Sequence, residues 1–190
     1  MAKNPEQKAI SNLPNTLTAF RLTCIPLVIV CLYFPGRWGS FIAALFFSMA
    51  FITDILDGFF ARRYDSITVL GKFLDPLADK ILVSVTMIML IPSGRIPIWV
   101  VILIIAREMA VTGLRSIAVG EGVVIQASAL GKYKTIFQAT SLIGLCLHYE
   151  YLNIDFHATA MVFLWVALIL TLWSGWDYFR QFRKLFFPEK

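Results

Sequence analysis

Six stretches of this chain, residues 17–34, 38–60, 74–92, 97–118, 132–149 and 157–179, are apolar over nearly the length a helix needs to cross a bilayer, which is about 20 residues. In hydrocarbon every backbone N–H and C=O must find its partner inside the segment. The pattern therefore predicts an all-α integral membrane protein with six transmembrane helices. Composition agrees: 15% of residues are charged, where a soluble domain carries about a quarter, and the mean hydropathy is +0.74. The apolar runs are broken at Pro35-Gly36, from Arg62 to Lys72, at Pro92-Ser93-Gly94, from Gly120 to Gly122, and from His148 to His157. None of these breaks has the composition of a linker, so residues 1–190 read as one membrane-embedded domain.

Residues 1–14 are polar and carry Lys3, Glu6 and Lys8. They are expected to form a cytoplasmic interfacial segment, including a short helix with Ile10 and Leu13 toward lipid. They lack the apolar centre and cleavage site of a secretory signal, so we expect the N-terminus to be retained. An even number of spans puts both termini on one side. Lys3, Lys8, Arg21, Arg62, Arg63, Lys72, Lys80, Arg115, Lys132, Lys134, Arg180, Arg183 and Lys184 fall on that side, against Arg37 and Arg95 on the other. Basic residues stay in the cytoplasm, so the termini are predicted to be cytoplasmic, in the cell membrane. The net charge of +5 is thus explained by topology; spread over helix ends, it forms no patch for nucleic acid. Cys24, Cys31 and Cys146 lie inside apolar runs without ligand spacing and read as small buried hydrophobes.

Four carboxylates stand where they are expensive. Asp54, Asp57, Asp75 and Asp79 flank one predicted cytoplasmic loop inside the second and third apolar segments, and a carboxylate in such a helix costs a few kcal/mol. Asp54 and Asp57 are spaced i,i+3, Asp75 and Asp79 i,i+4, so each pair shares a helix face. If the two helices pack side by side, four oxygen-rich side chains converge near the cytoplasmic surface. Such a cluster repels itself unless cations intervene, and oxygen ligands suit Mg²⁺, Mn²⁺ or Ca²⁺. Ion pairs with Arg62, Arg63, Lys72 or Lys80 are the plainer alternative, but they leave the regular spacing unexplained. Gly58 removes a Cβ beside Asp57, where a diphosphate would approach the backbone. Ala61 and Gly71 either do the same or let helices pack closely. Arg62, one turn after Gly58, suits a diphosphate oxygen.

In full the spacing reads Asp54, two residues, Asp57-Gly58, two residues, Ala61-Arg62, eight residues, Gly71, three residues, Asp75, three residues, Asp79. It resembles the signature D-x2-D-G-x2-A-R-x8-G-x3-D-x3-D of the CDP-alcohol phosphotransferases at every fixed position. That resemblance implies the six-helix CDP-alcohol phosphotransferase fold, a homodimer, and CDP-diacylglycerol as donor. It also implies two ions, Mg²⁺ or Mn²⁺, on the diphosphate, ligated by Asp54, Asp57 and Asp75 with Asp79 beside them. Asp75 and Asp79 would be the catalytic pair, Asp79 the general base. Gly58, Ala61, Arg62 and Gly71 would line the nucleotide pocket, joined by Asn15, Thr18 and Arg21 from the segment Leu13-Pro14-Asn15-Thr16-Leu17-Thr18.

The acceptor is read from other residues. Arg107 lies about ten residues from either end of its segment, too deep for easy snorkelling, and Arg115 lies two turns further along a similar face. With Lys132 and Lys134 they would surround an anion, such as the phosphate of glycerol 3-phosphate. The runs Arg107-Glu108, Thr112-Gly113-Leu114-Arg115 and Gly131-Lys132-Tyr133-Lys134-Thr135 resemble those of family members that use this acceptor. Inositol phosphate or phosphatidylglycerol, on the same fold with the same donor, is the alternative. A divalent-cation transporter is the alternative of another class, though its carboxylates should lie near the bilayer midplane.

Overall fold

The computed structural model describes the backbone of residues 5–34, 36–64, 69–121, 129–151 and 153–186, and the side chains of 18–34, 36–55, 77–121, 131–150 and 153–183. Six helices follow in order: α1 Pro5–Tyr33, α2 Arg37–Tyr64, α3 Val69–Leu90, α4 Ile98–Gly120, α5 Ala129–Leu147 and α6 Phe156–Phe186. An antiparallel ribbon of β1 Glu150–Tyr151 and β2 Ile154–Asp155 joins α5 to α6. All six expected helices form, with shifted ends. Residues 5–14 continue into α1 instead of making a separate interfacial helix. α3 begins at Val69, before residue 74, which draws Gly71 and Lys72 out of the expected loop and into a helix. The ribbon was not expected; four residues of strand carry too little alternation to stand out from a polar loop.

Each helix turns one stripe inward. Among the described residues the buried positions on α1 are Thr18, Arg21, Cys24, Ile25 and Val28, and on α5 Lys134, Gln138, Ala139, Ser141, Leu142, Leu145 and Cys146. The spacing is the i, i+3, i+4 repeat of a helix with one buried face. Buried Ala43, Ala44 and Ala50 on α2 keep its inner face narrow. The opposite faces stay apolar and exposed: Val30, Ile42, Ile52, Ile88, Ile102, Val162 and Ile169 all face outward. A surface so continuously apolar fits lipid and not water. Among the described residues two helices, Arg37–Ile55 and Phe156–Arg183, are long and apolar enough to cross a membrane. α4 has the length, but Arg107, Glu108 and Arg115 interrupt its apolar run.

Packing partners are only partly the neighbours in sequence. Among the described residues α2 and α3 touch little, and both pack on α1; α5 packs most extensively on α6 and also meets α2, and α4 lies against α6. The pair of helices that carries the aspartates is thus held together through α1. Several hydroxyls inside the bundle are satisfied locally: Thr53, Thr86 and Ser174 each donate to the carbonyl four residues back, at 2.7, 2.8 and 2.6 Å. α5 and α6 cross so closely that a Cβ on Gly144 would lie 2.6 Å from the Ala160 Cβ.

Candidate active site

Because consecutive helices run in opposite directions, the second half of α2, the first half of α3, the second half of α4, the start of α5 and the second half of α6 meet at one end of the bundle. Many polar residues of the buried stripes collect there, among them Thr18, Arg21, Lys134, Gln138 and Ser174. Thr18 and Arg21 continue the inner stripe of α1 at that end, and both are buried. Arg21 Nη1 lies 2.8 Å from Asp54 Oδ1. A guanidinium without water needs a fixed counter-charge, and Asp54 supplies it from α2. Asp54 keeps about a third of its side chain open, at 35%.

Asp79 on α3 senses the charges of Asp54, Arg21, Lys134 and Lys80. The first and fourth aspartates of the spacing therefore face one site, with Arg21 beside them. Lys80, the next residue, points about 100° around the helix and donates to Thr112 Oγ1 on α4. The side chains of Asp57, Gly58, Ala61, Arg62, Gly71, Asp75 and Asn15 lie outside the described residues, although the helices that carry them are seen.

Asp79 and Lys80 share a cavity of about 60 Å³ with Glu108 of α4 and Lys134, Thr135 and Gln138 of α5. Glu108 bridges two cations: its Oε1 is 3.2 Å from Arg107 Nη1 and in contact with Lys134 Nζ. Arg107 Nη2 donates to Ser174 Oγ of α6 at 2.8 Å, while its buried Nε has no partner among the described residues. A Cβ on Gly175 would lie 3.0 Å from Arg107 Cγ and Nε, so the absence of a side chain there is what lets the arginine cross α6. Arg115, more exposed, lies with its Cζ 5.7 Å from the centre of the Tyr178 ring. Lys132 is exposed and is not among the residues lining the cavity.

Of the predicted acceptor cations, then, the structure places Lys134 on the cavity wall and joins Arg107 to it through Glu108, while neither Arg115 nor Lys132 is among the lining residues. It adds Lys80, which sequence reasoning weighed only as a counter-ion for the aspartates, and the neutral positions Thr112, Gln138 and Ser174. Lys80 could have been found from its place beside Asp79 in an apolar helix. Ser174 could not, since a single serine in a membrane helix usually just bonds its own backbone.

The family model for CDP-alcohol phosphatidyltransferase matches residues 11–173. The chain belongs to the CDP-alcohol phosphatidyltransferase family. It is similar over most of its length to proteins named CDP-diacylglycerol–glycerol-3-phosphate 3-phosphatidyltransferase. The one from Bacillus subtilis (strain 168) is 41% identical, with 90% of this chain and 94% of the relative aligned. That of Rickettsia bellii is 38% identical over 94% and 99%, and that of Yersinia enterocolitica 35% identical over 88% and 92%. The family is dependent on divalent metal. The residues seen here fit such an ion: Asp54 and Asp79 offer hard oxygen ligands, and Asp54 retains open surface.

Proposed function

We propose that this protein transfers the phosphatidyl group of CDP-diacylglycerol to glycerol 3-phosphate, giving phosphatidylglycerol phosphate and CMP. The observation that carries the choice of acceptor is the meeting of Lys80 and Lys134 with Asp79 at one cavity, with Arg107 joined to it through Glu108. A base and a nest of cations side by side suit an alcohol that also bears a phosphate. An uncharged acceptor would make no use of those cations. The names borne by the relatives favour the same acceptor.

In this reading the phosphate of glycerol 3-phosphate rests on Arg107, Lys134 and Lys80, with Arg115 at the mouth. That grip holds the free hydroxyl toward Asp79, and orientation of this kind removes much of the entropic part of the barrier. Asp79 accepts the hydroxyl proton as the oxygen attacks the phosphatidyl phosphorus. The new O–P bond forms as the bond from that phosphorus to the CMP oxygen breaks, and CMP departs with the electron pair. Divalent cations, two Mg²⁺ or Mn²⁺ held by Asp54, Asp57, Asp75 and Asp79, supply charge neutralisation on the diphosphate. Arg62, Gly58, Ala61, Gly71, Asn15 and Thr18 serve the nucleotide side. Arg21 keeps the Asp54 carboxylate directed into the site.

The wider setting belongs to the same proposal. The protein is one domain of six transmembrane helices in the cell membrane, working as a homodimer, with termini and active site in the cytoplasm. The outward apolar faces and the placing of most basic residues at the site end of the bundle support it. The test is CMP release by detergent-purified protein with CDP-diacylglycerol and Mg²⁺, comparing glycerol 3-phosphate, inositol 1-phosphate, serine, phosphatidylglycerol and no acceptor, each with an EDTA control. EDTA-sensitive release with glycerol 3-phosphate alone is the expected result. Release with a different acceptor would keep the carboxylate site and overturn the role given to the cations.

A further inference from the structure

The acceptor end of the cavity holds an acid among its bases. Glu108 lies between Arg107 and Lys134, and its side chain is part of the cavity wall with Lys80 and Asp79. Lys134 is only 7% exposed, so its ammonium has little water to turn to. The donors that Arg107 Nη1 and Lys134 Nζ aim at Glu108 are the same kind of donor a phosphate would use. A phosphate entering this cavity therefore meets cations already engaged by a carboxylate, and must share them.

We propose that Glu108 is a specificity-determining residue: an internal counter-anion that competes with the acceptor's phosphate for Arg107 and Lys134, so that a phosphorylated alcohol binds and leaves again. The inference rests on the phosphate-bearing acceptor proposed above. Its physical basis is that acceptor and product carry the same phosphate. Cations that gripped it without competition would hold the product as firmly as the substrate, and binding that is uniform along the reaction adds nothing to turnover. It slows release instead. Arg115 also repels Lys80 and Arg107, and Lys134 is repelled by Arg107 and Lys80; Glu108 offsets part of that repulsion.

Glu108→Gln removes the charge and keeps the shape; Glu108→Asp keeps the charge but draws it back from Lys134 by one methylene. Inorganic phosphate is the probe, read as competitive inhibition of CMP release against glycerol 3-phosphate and, without turnover, as phosphate-dependent thermal stabilisation of the purified protein. Loss of one competing charge in a half-buried site should tighten phosphate binding about tenfold in Glu108→Gln. Glu108→Asp should show a smaller shift, about two- to threefold. Glycerol 3-phosphate KM and kcat should both fall in Glu108→Gln, with the CDP-diacylglycerol KM unchanged. Phosphate binding that is unchanged or weaker in either variant that folds overturns the proposal, leaving Glu108 a prop for its neighbours. A wild-type protein on which phosphate has no effect in either readout overturns the phosphate-bearing acceptor itself, and this inference with it.

Discussion

Asp79 and Lys80 show how much one residue step decides in a helix. Their side chains diverge by about 100°, so one reaches the aspartate site beside Arg21 and the other reaches Thr112 on α4. Asp79 feels Asp54 and Arg21 as well as Lys134 and Lys80, a position that suits the general base proposed for it. Replacing it by Asn keeps the volume and removes the base. We expect Asp79→Asn to lower the rate of CMP release by at least about 10²-fold while CDP-diacylglycerol binding, measured by equilibrium binding in detergent, changes little. Loss of binding in parallel with rate would make Asp79 a structural ligand. The spacing of the aspartates was legible in the sequence because it follows local helix geometry. The partnership of Arg21 with Asp54 was not, since the two lie 33 positions apart and meet only when α1 packs on α2.

At the scale of elements, the α5–α6 pair is the most extensive contact among the described residues, and Gly144 permits it. Two effects oppose each other in Gly144→Ala. Alanine favours the helix by about 1 kcal/mol, but its Cβ would lie 2.6 Å from that of Ala160, with Ala160 Cα and the Phe156 carbonyl close behind. Those atoms are backbone or next to it, so relief requires the helices to part, at about 1–3 kcal/mol. The clash should win: the melting temperature falls in detergent, and the double variant Gly144→Ala with Ala160→Gly recovers most of it. An equal or higher melting temperature for the single variant would refute this packing.

The loop that closes the same pair carries a titratable latch. His148 and His157 approach to 3.2 Å between their Nδ1 atoms, and Arg95 donates to the Cys146 carbonyl at 2.9 Å, capping α5. Burial, then the Arg95 charge, then His157 hold the His148 imidazole below its ordinary value of 6.5, against the opposing pull of Asp155. The folded protein thus prefers neutral His148, and the unfolded chain takes the proton more readily. The contribution is intact above about 6.5 and is lost as pH falls below it. Amide exchange in the ribbon, corrected for its intrinsic pH dependence, should lose protection between about pH 7.5 and 5.5. The non-titrating variant His148→Gln should flatten that profile, and an unchanged profile would locate the titration elsewhere.

For the whole molecule, the prediction is one of sides. Gly36 and Glu121 lie at opposite ends of the bundle, with nothing within 4 Å of an added Cβ on Gly36 and Glu121 exposed. In a variant without Cys24, Cys31 and Cys146, an impermeant thiol reagent applied to intact cells should label Gly36→Cys and spare Glu121→Cys, and inverted vesicles should reverse the pattern. Labelling of both from one side would reject the six-span topology. By itself the sequence determined the helical class, the number and order of helices, the aspartate motif and the family, because each follows from hydrophobic period and local spacing along one chain. Only the tertiary structure decided which helices touch: that α1 binds both aspartate helices, that Lys80 and not Lys132 lines the cavity, and that Glu108 stands between Arg107 and Lys134. The reason is physical. Helical periodicity shows which face of a helix is polar, but in a bundle whose outward faces are largely apolar it does not say which neighbour that face meets, and that is set by the fit of side chains such as Gly144 against Ala160 and Gly175 against Arg107.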